Sequence, residues 1–483
     1  MLFNSFQFLV FLPIVFALYW FVFKGRRWQN LLIVVASYIF YGWWDWRFLG
    51  LIALTSICSF GSGMLIEHLE GKRRYQQLVS GVNIVINLLI LGYFKYFNFF
   101  ASNLDTLMQS AFGYHLDWVT TEIVLPVGIS FYTFQALSYS IDVYQRKIKA
   151  THDVVEFFAF ISFFPQLVAG PIERATNLLP QFQRDRRFDY CQAVDGLRQM
   201  LWGFLKKLVI ADNCAVTVNA MWGQYEELSG LPLLVIVTLF AIQIYCDFSG
   251  YSDIAIGCAR LFGFRLMRNF KNPYFARSIP ELWRRWHISL MSWFRDYIYI
   301  PLGGNRRGKF RMIVNLFIVC GVSGLWHGAN WTYICWGLYH AVLLTIYNLL
   351  GINKKYSDEV VRSRFLPSVK EFFQMAFTFF LALIGLVMFR SESMTQATGF
   401  ISKMLTTLFD FSASQPILGK KNLIMCAVFM FCEWIQRDKQ HALQIDTLGV
   451  FRHSIARFAL YIAIAVILFL YSGQVQTFIY FQF

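Results

Sequence analysis

Charged residues are scarce in this chain, and no polar block is long enough to form a soluble domain. Only 15% of the 483 residues are Asp, Glu, Lys or Arg, whereas 57% are hydrophobic and 19% are aromatic. Apolar runs of membrane-spanning length recur from one end of the chain to the other. The composition therefore predicts an all-α polytopic membrane protein with a single membrane domain over residues 1–483.

Several common functional signatures are also absent. The nine cysteines are scattered and lie mostly within apolar runs, so we expect neither a disulfide framework nor a metal site. The glycine-rich basic segment near Gly303 lacks the spacing of a phosphate-binding loop and does not follow a strand. We find no internal repeat, which argues against a transporter built from inverted halves.

The basic residues that are present indicate an orientation in the membrane. Lys and Arg number 43 against 28 Asp and Glu, and the excess lies in short loops, as is typical of cytoplasmic loops rather than of nucleic-acid binding. The loop with Arg184, Arg186 and Arg187 is therefore expected in the cytoplasm, and the acidic loop with Glu226 and Glu227 outside it. Counting alternations gives about 11–12 transmembrane helices and places both termini outside the cytoplasm.

Two basic stretches, near residues 145–190 and 260–311, are expected to lie on the cytoplasmic side or to re-enter the membrane. The chain ends in an aromatic tail, residues 472–483, on the predicted outer face. If extended, the tail is long enough to fold back and bring Tyr480 near His327. The alternative is an interfacial aromatic anchor, which is the commoner use of such residues.

Two of the eight histidines lie in or beside apolar segments, where a polar side chain is uncommon in a membrane protein. His327 follows Trp326 in an apolar segment, where an imidazole requires a hydrogen-bond partner or a polar cavity. His287 follows Trp286 in an arginine-rich segment, and a helix there would place both near one face with Trp283. The alternatives are structural: a histidine that ties two helices together, and an interfacial amphipathic helix.

Together the two histidines indicate acyl transfer. A neutral imidazole can take a proton from a hydroxyl or thiol as that group attacks an acyl carbon. The expected topology brings His287 from the cytosol and His327 from the opposite face, so a passage joining them would deliver outside an acyl group loaded inside. Arg284 and Arg295 suit a phosphorylated carrier or cofactor, since guanidinium pairs well with phosphate.

Longer motifs resemble those of a known family. The chain is similar to the membrane-bound O-acyltransferase superfamily in the segments WRRWHISLMSWFRDYIYIPLGGNRRG, GLWHGANWTYICWGLYH, FYGWWDWRF, LVAGPIER and YCDFSGYSDIAIG. Within that superfamily it resembles the bacterial branch that acylates envelope polymers such as alginate, peptidoglycan or, more distantly, teichoic acid. The resemblance covers nearly the whole chain, and it implies a ring of transmembrane helices around a thin centre, with a tunnel joining two funnels.

The resemblance also implies roles for individual residues. His327 matches the histidine of the family's WHG motif and His287 the second histidine, in the WRRWH motif, so both are expected to be catalytic. Tyr480 matches a tyrosine proposed to relay the acyl group. Candidates for lining the tunnel or binding the donor are Trp286, Arg284, Arg295, Asp296, Trp326 and Asn330.

The same resemblance implies the partners and the location. The chain is expected in the inner membrane of a bacterium, with a cytosolic acyl donor, acetyl-CoA in the acetylating branches, and no bound cofactor. As in such systems, a separate extracytoplasmic protein with a serine nucleophile is expected to pass the acyl group to a polysaccharide, which agrees with the lack of a hydrolase-like pattern in this sequence. Two other functions stay open: acylation of a lipid or small molecule, and transport of a polysaccharide or lipid without transfer chemistry.

Overall fold

The computed structural model describes residues 1–115, 123–168, 170–352, 356, 365–410, 419–473, 476 and 478–479. These residues form α-helices and short 3₁₀ or π turns, with no strand among them, so the predicted all-α architecture is confirmed. The α-helices of the described ranges are α1 (Phe6–Ala17), α2 (Arg26–Gly42), α3 (Leu49–His68), α4 (Arg73–Leu91), α5 (Phe97–Phe112), α6 (Ile129–Tyr144), α7 (Val154–Ser162), α8 (Phe164–Leu167), α9 (Ala175–Phe182), α10 (Tyr190–Phe204), α11 (Asp212–Trp222), α12 (Gly230–Leu261), α13 (Ile279–Arg285), α14 (Ile288–Phe294), α15 (Gly308–His327), α16 (Trp331–Leu349), α17 (Val369–Arg390), α18 (Met394–Thr406), α19 (Lys420–Ile435) and α20 (Ser454–Tyr471).

Six helical segments of the described chain are long and apolar enough to cross a membrane. They are Trp46–His68, Arg73–Phe112, Gly230–Leu261, Gly308–His327, Val369–Arg390 and Ser454–Tyr471. The predicted 11–12 spans were counted from apolar runs, and some of these runs form shorter helices, such as Phe6–Val22 and Val154–Leu167. The chain is thus a multi-pass membrane protein, as the composition predicts.

Residue contacts divide the chain into two compact units. The first contains Met1–Val194 and Cys258–Met267, and the second contains Asp195–Gly257 and Arg268–Phe483. In the first unit α3 packs against α4 and α6, and α7 packs against α2 and α9. The close approach of α3 to α6 depends on Gly63, because a Cβ there would collide with the ring of Tyr139. The proposal of one functional domain over the whole chain stays a prediction.

The second unit contains α12 as far as Gly257 and the closely packed pair α15 and α16. Most of the apolar length of α12 is buried. Two glycines let the backbones of α15 and α16 touch. A Cβ on Gly324 would collide with the carbonyl oxygen of Tyr333, and a Cβ on Gly337 with that of Cys320. Since α16 also packs against α13 and α17, the end of α15 that carries the WHG motif lies among these helices.

Candidate active site

His327 is the last residue of α15 and is 3% exposed. Its ring centroid lies 5.0 Å from that of Trp326 and 5.0 Å from that of Trp336. The chain leaves the helix directly afterwards at Gly328, where a Cβ would collide with the ring of Tyr333. The imidazole is therefore held in a frame of aromatic side chains from α15 and α16.

The side chain of His327 lines a cavity with about 460 Å³ of empty space. The walls come from α12, α13, α16 and α17, and they are aliphatic or aromatic apart from His327 and His340. Trp286, one of the predicted tunnel residues, also lines this cavity. A small, largely apolar cavity with two imidazoles suits an acyl group that must react with a hydroxyl or thiol.

His287 does not lie on a continuous helix, and that part of the prediction is wrong. α13 ends at Arg285, α14 begins at Ile288, and His287 between them has φ 44°, in the left-handed region. The nearby tryptophans therefore share no helical face with it. Asn269 stabilises the break, because its carbonyl oxygen accepts the N–H of Ile288 at 2.9 Å and its side-chain Oδ1 lies 3.2 Å from His287 Nδ1.

Asn269 also selects the tautomer of His287. The Ser289 backbone N–H donates to Asn269 Oδ1 at 3.3 Å, and the Ser289 hydroxyl donates to the same atom at 2.8 Å. Since a backbone N–H can only donate, the amide presents its oxygen to His287, so Nδ1 carries the proton and Nε2 is the acceptor. Burial lowers the pKa of His287 to about 3, and the ring is neutral at physiological pH.

The indole ring of Trp326 contacts both predicted histidines. The ring of Trp326 is 5.9 Å from that of His287 and 5.0 Å from that of His327, with both pairs in edge-on geometry. Trp326, another predicted tunnel residue, is itself buried. Residues that the sequence places in separate motifs thus meet at a single side chain of the second unit.

A third histidine, His340 on α16, lies in the same cavity as His327. It is 4% exposed, and its ring centroid is 5.2 Å from that of Trp336. The indole N–H of Trp283 donates to His340 Nδ1 at 3.3 Å. Sequence reasoning missed this residue. The signal that could have identified it is the helical spacing of Trp336 and His340, one turn apart on the same face.

The other predicted residues make contacts outside this cavity. The guanidinium of Arg284 donates to the carbonyl oxygen of Tyr356 at 2.8 Å. Arg295 pairs with the neighbouring Asp296 at 2.7 Å and is largely exposed. Asn330 caps α16, accepting the N–H of Thr332 at 3.0 Å, and it also donates to the carbonyl oxygen of Glu392 at 3.1 Å. Tyr480 lies outside the described residues.

The segment that precedes Tyr480 is anchored by a buried cluster of charges. The ammonium of Lys207 lies 2.8 Å from Asp212 and 2.7 Å from Asp247. Lys207 also donates to the carbonyl oxygen of Gln476 at 3.2 Å, and Asp247 accepts the N–H of Ile479 at 2.8 Å. Buried charges of this kind need partners, and here the backbone of the tail supplies two of them.

The tail also contacts the aromatic side chains around His287. Phe478 is fully buried, with its ring centroid 4.3 Å from that of Tyr251 and 6.0 Å from that of Phe248. The ring of Phe248 lies 4.6 Å from that of His287. A continuous set of ring contacts therefore connects the C-terminal tail to the three histidines.

A second cavity, with about 410 Å³ of empty space, is lined mostly by polar residues. Asn269, which holds His287, forms part of its wall. Within the wall Lys206 and Asp253 form an ion pair. The charged side chains that line the cavity are Lys206, Arg268, Lys439, Asp253 and Glu433. Because Lys439 pairs in turn with Asp438 at 3.5 Å, the cavity places both cations and carboxylates next to one of the candidate catalytic residues.

Comparison with known proteins gives consistent matches. The sequence model of the membrane-bound O-acyltransferase family matches residues 38–352, a range that contains His287, His327 and His340. The chain is 42% identical to "Probable alginate O-acetylase AlgI" of Pseudomonas putida, over 85% of this chain and 81% of that protein. It is 29% identical to the peptidoglycan O-acetyltransferase of Helicobacter pylori, over 100% of this chain and 98% of that protein. The teichoic acid D-alanyltransferase of Bacillus subtilis is 31% identical over 48% of this chain and 61% of its own length.

Proposed function

Because the chain belongs to the membrane-bound O-acyltransferase family, we propose that it moves an acetyl group from a cytosolic donor across the bacterial inner membrane for O-acetylation of an extracytoplasmic polysaccharide. The chain is a multi-pass membrane O-acyltransferase. The names of the relatives that match most of its length support acetyl as the transferred group and a polymer, such as alginate or peptidoglycan, as the acceptor. The cavity of His327, with its connection through Trp326 to His287, is the observation that carries the proposal.

In the proposed reaction His327 acts as the general base. The acetyl thioester occupies the apolar cavity, and the oxygen of the attacking hydroxyl forms a bond to the acyl carbon while His327 takes the hydroxyl proton. The carbon–sulfur bond then breaks, and the proton passes to the departing thiolate. Exclusion of water by the aromatic walls protects the thioester from hydrolysis.

The polar cavity beside Asn269 is the proposed site for the polar part of the donor. Arg268 and Lys439 are cations in its wall, and guanidinium and ammonium groups pair with phosphate. Since Asn269 also contacts His287, a donor such as acetyl-CoA held there has its acyl end directed towards the histidines. Arg284 and Arg295, the arginines singled out in the sequence, contact Tyr356 and Asp296, and their role in donor binding stays a prediction.

For export we propose Tyr480 as the acyl relay and a separate extracytoplasmic serine-dependent acetyltransferase as the partner. The anchoring of Ile479 by Asp247 supports this role, because it fixes the residue that directly precedes Tyr480. The phenol oxygen of Tyr480 would take the acetyl group from the donor sulfur and pass it to the serine of the partner. Each transfer exchanges one acyl bond for another and needs no oxidant or reductant.

The test is replacement of His327 by alanine in cells that contain the complete acetylation system. Polymer acetylation should fall at least about 100-fold, the usual lower contribution of a general base, at matched levels of membrane-inserted protein. His453→Ala is the control, because His453 is exposed and distant in sequence from the motifs. Unchanged acetylation in His327→Ala cells would remove the proposed mechanism.

Acylation of a lipid is the second candidate function. An apolar groove with about 1600 Å³ of empty space runs along α12, α17 and α19, and Tyr274 lines both this groove and the cavity of His327. A lipid chain in such a groove would reach the wall of the reactive cavity. Acylation of a lysolipid by the purified chain without an extracytoplasmic partner would favour this function over polymer acetylation.

A further inference from the structure

His340 and His327 share one cavity and one aromatic neighbour. Both side chains line the cavity, and the ring centroid of Trp336 lies 5.0 Å from that of His327 and 5.2 Å from that of His340. Both histidines are buried. An acyl group in this cavity therefore has two imidazoles available, and their roles depend on which nitrogen of each ring carries a proton.

Trp283 determines which ring nitrogen of His340 carries the proton. Its indole nitrogen lies 3.3 Å from His340 Nδ1. An indole N–H is a donor only, so Nδ1 must be the acceptor and the proton of the neutral ring must be on Nε2. His340 therefore presents a hydrogen-bond donor, and not a base, at its second nitrogen.

A glycine lets α17 pack close to that nitrogen. A Cβ built on Gly385 of α17 would lie 3.0 Å from His340 Nε2, closer than such contacts normally are. Any larger residue at this position would press on the donor nitrogen. Because Gly385 has no side chain, the ring of His340 keeps its place in the wall of the cavity that it shares with His327.

We infer that His340 donates its Nε2–H hydrogen bond to the carbonyl oxygen of the acyl group during transfer, while His327 handles the proton of the nucleophile. As the nucleophile adds to the acyl carbon, the carbonyl electron pair moves to oxygen, and His340 stabilises the negative charge that develops there. When the carbonyl re-forms, the thiolate leaves and receives the proton from His327. His340 keeps its own proton throughout and acts only as a donor.

This inference rests on the proposed acyl transfer in the same cavity. It also makes Trp283 a positioning residue, because loss of its N–H leaves His340 free to adopt the other tautomer. The two histidines then have separate roles, one that changes its protonation state and one that does not. Variants that retain a donor at the Nε2 position of His340 should therefore retain part of the activity.

The experiment measures incorporation of labelled acetyl-CoA into polymer by permeabilised cells that contain the full-length chain. His340→Ala should lower the maximal rate about 100-fold, the effect of removing one such donor, with the apparent KM for acetyl-CoA within about threefold of the wild type. His340→Gln, whose amide N–H₂ can occupy the place of Nε2, should recover at least about tenfold of the lost rate. Trp283→Phe should lower the maximal rate without changing the apparent KM.

The outcomes separate this inference from the proposed function. If His327→Ala abolishes incorporation while His340→Ala stays within about twofold of the wild type, the donor role is wrong and acyl transfer stands. If His340→Ala and His340→Gln are equally inactive, or raise the apparent KM instead of lowering the maximal rate, the donor role is also wrong. If neither histidine affects incorporation, both the proposed function and the inference fail. The thermal unfolding midpoint of each purified variant controls for loss of folding.

Discussion

Two histidines of the site are held in opposite tautomers by single side chains. Asn269 accepts a hydrogen bond from His287, so His287 carries its proton on Nδ1. Trp283 donates a hydrogen bond to His340, so His340 carries its proton on Nε2. Neither partner is itself ionisable at physiological pH. The arrangement provides a proton acceptor on one ring and a donor on the other without placing a charge in a largely apolar environment.

Replacement of Asn269 by alanine should test the importance of the His287 tautomer. The variant loses the acceptor that holds the Nδ1 proton, and we expect polymer acetylation to fall at least about tenfold, equivalent to a hydrogen bond of roughly 1.4 kcal/mol. Asn103→Ala is the matched control, because the side-chain amide of Asn103 donates to the carbonyl oxygen of Phe99 within α5 at 2.7 Å and Asn103 lines neither cavity of the candidate site. Equal acetylation by the two variants would show that the tautomer of His287 is unimportant.

The sequence singled out His287 and His327 because each is a polar residue in or beside an apolar segment, where a membrane protein needs a partner or a cavity for it. Their catalytic roles stay predictions. The sequence was not sufficient to select His340, which looks like an ordinary polar residue of an apolar helix until its neighbours are known. The expected donor-binding role of Arg295 followed from its charge and stays a prediction, but its pairing with Asp296 was not foreseen. Burial and pairing are three-dimensional properties that residue spacing does not reveal.

At the level of helices, hydropathy predicted the existence of the long apolar elements, such as α12, α15 and α17, because a spanning helix must be apolar over most of its length. Hydropathy did not predict the break between α13 and α14. The residues of the break form an acceptable helical pattern, and the left-handed conformation of His287 is stabilised by Asn269, which is remote in sequence. Local propensity is overruled here by a non-local hydrogen bond.

The C-terminal tail is the element whose removal should separate acyl delivery from folding. Deletion of residues 478–483 leaves α20 and the ion pairs of Lys207 with Asp212 and Asp247, but it removes the buried ring of Phe478 and the N–H of Ile479 that donates to Asp247. We expect product acetylation to be lost while the thermal unfolding midpoint of the purified protein changes by only a few degrees. Polymer acetylation in cells and differential scanning fluorimetry measure the two effects.

A point substitution makes this prediction more specific. Phe478→Ala removes a fully buried ring that contacts Tyr251, and its loss should weaken docking of the tail by about 3 kcal/mol. Phe469→Ala is the matched control, because Phe469 is 86% exposed on α20. Normal acetylation by the truncated protein would exclude Tyr480 from the mechanism, and normal acetylation by Phe478→Ala alone would show that the tail needs no docking.

For the whole molecule, composition predicted the class of protein and the charge pattern predicted its orientation. The first is confirmed by the helices and by the family match. The second stays a prediction, because orientation depends on where the loops lie relative to a membrane. The proposed function requires this orientation, because the donor is in the cytosol and the acceptor is outside. The chain must therefore present different loops to the two sides.

Labelling with a small membrane-impermeant maleimide tests this orientation. Among the nine cysteines only Cys191 is exposed, and it follows the basic loop expected in the cytoplasm, so the native chain should be labelled only after the inner membrane is permeabilised. Gln224 is exposed in the acidic loop expected outside, so Gln224→Cys should react in intact cells. Labelling of Cys191 in intact cells, or protection of Gln224→Cys until permeabilisation, would reverse the orientation. The polar cavity beside Asn269 would then need a donor from the outer side, and the proposed direction of acetyl transfer would be wrong.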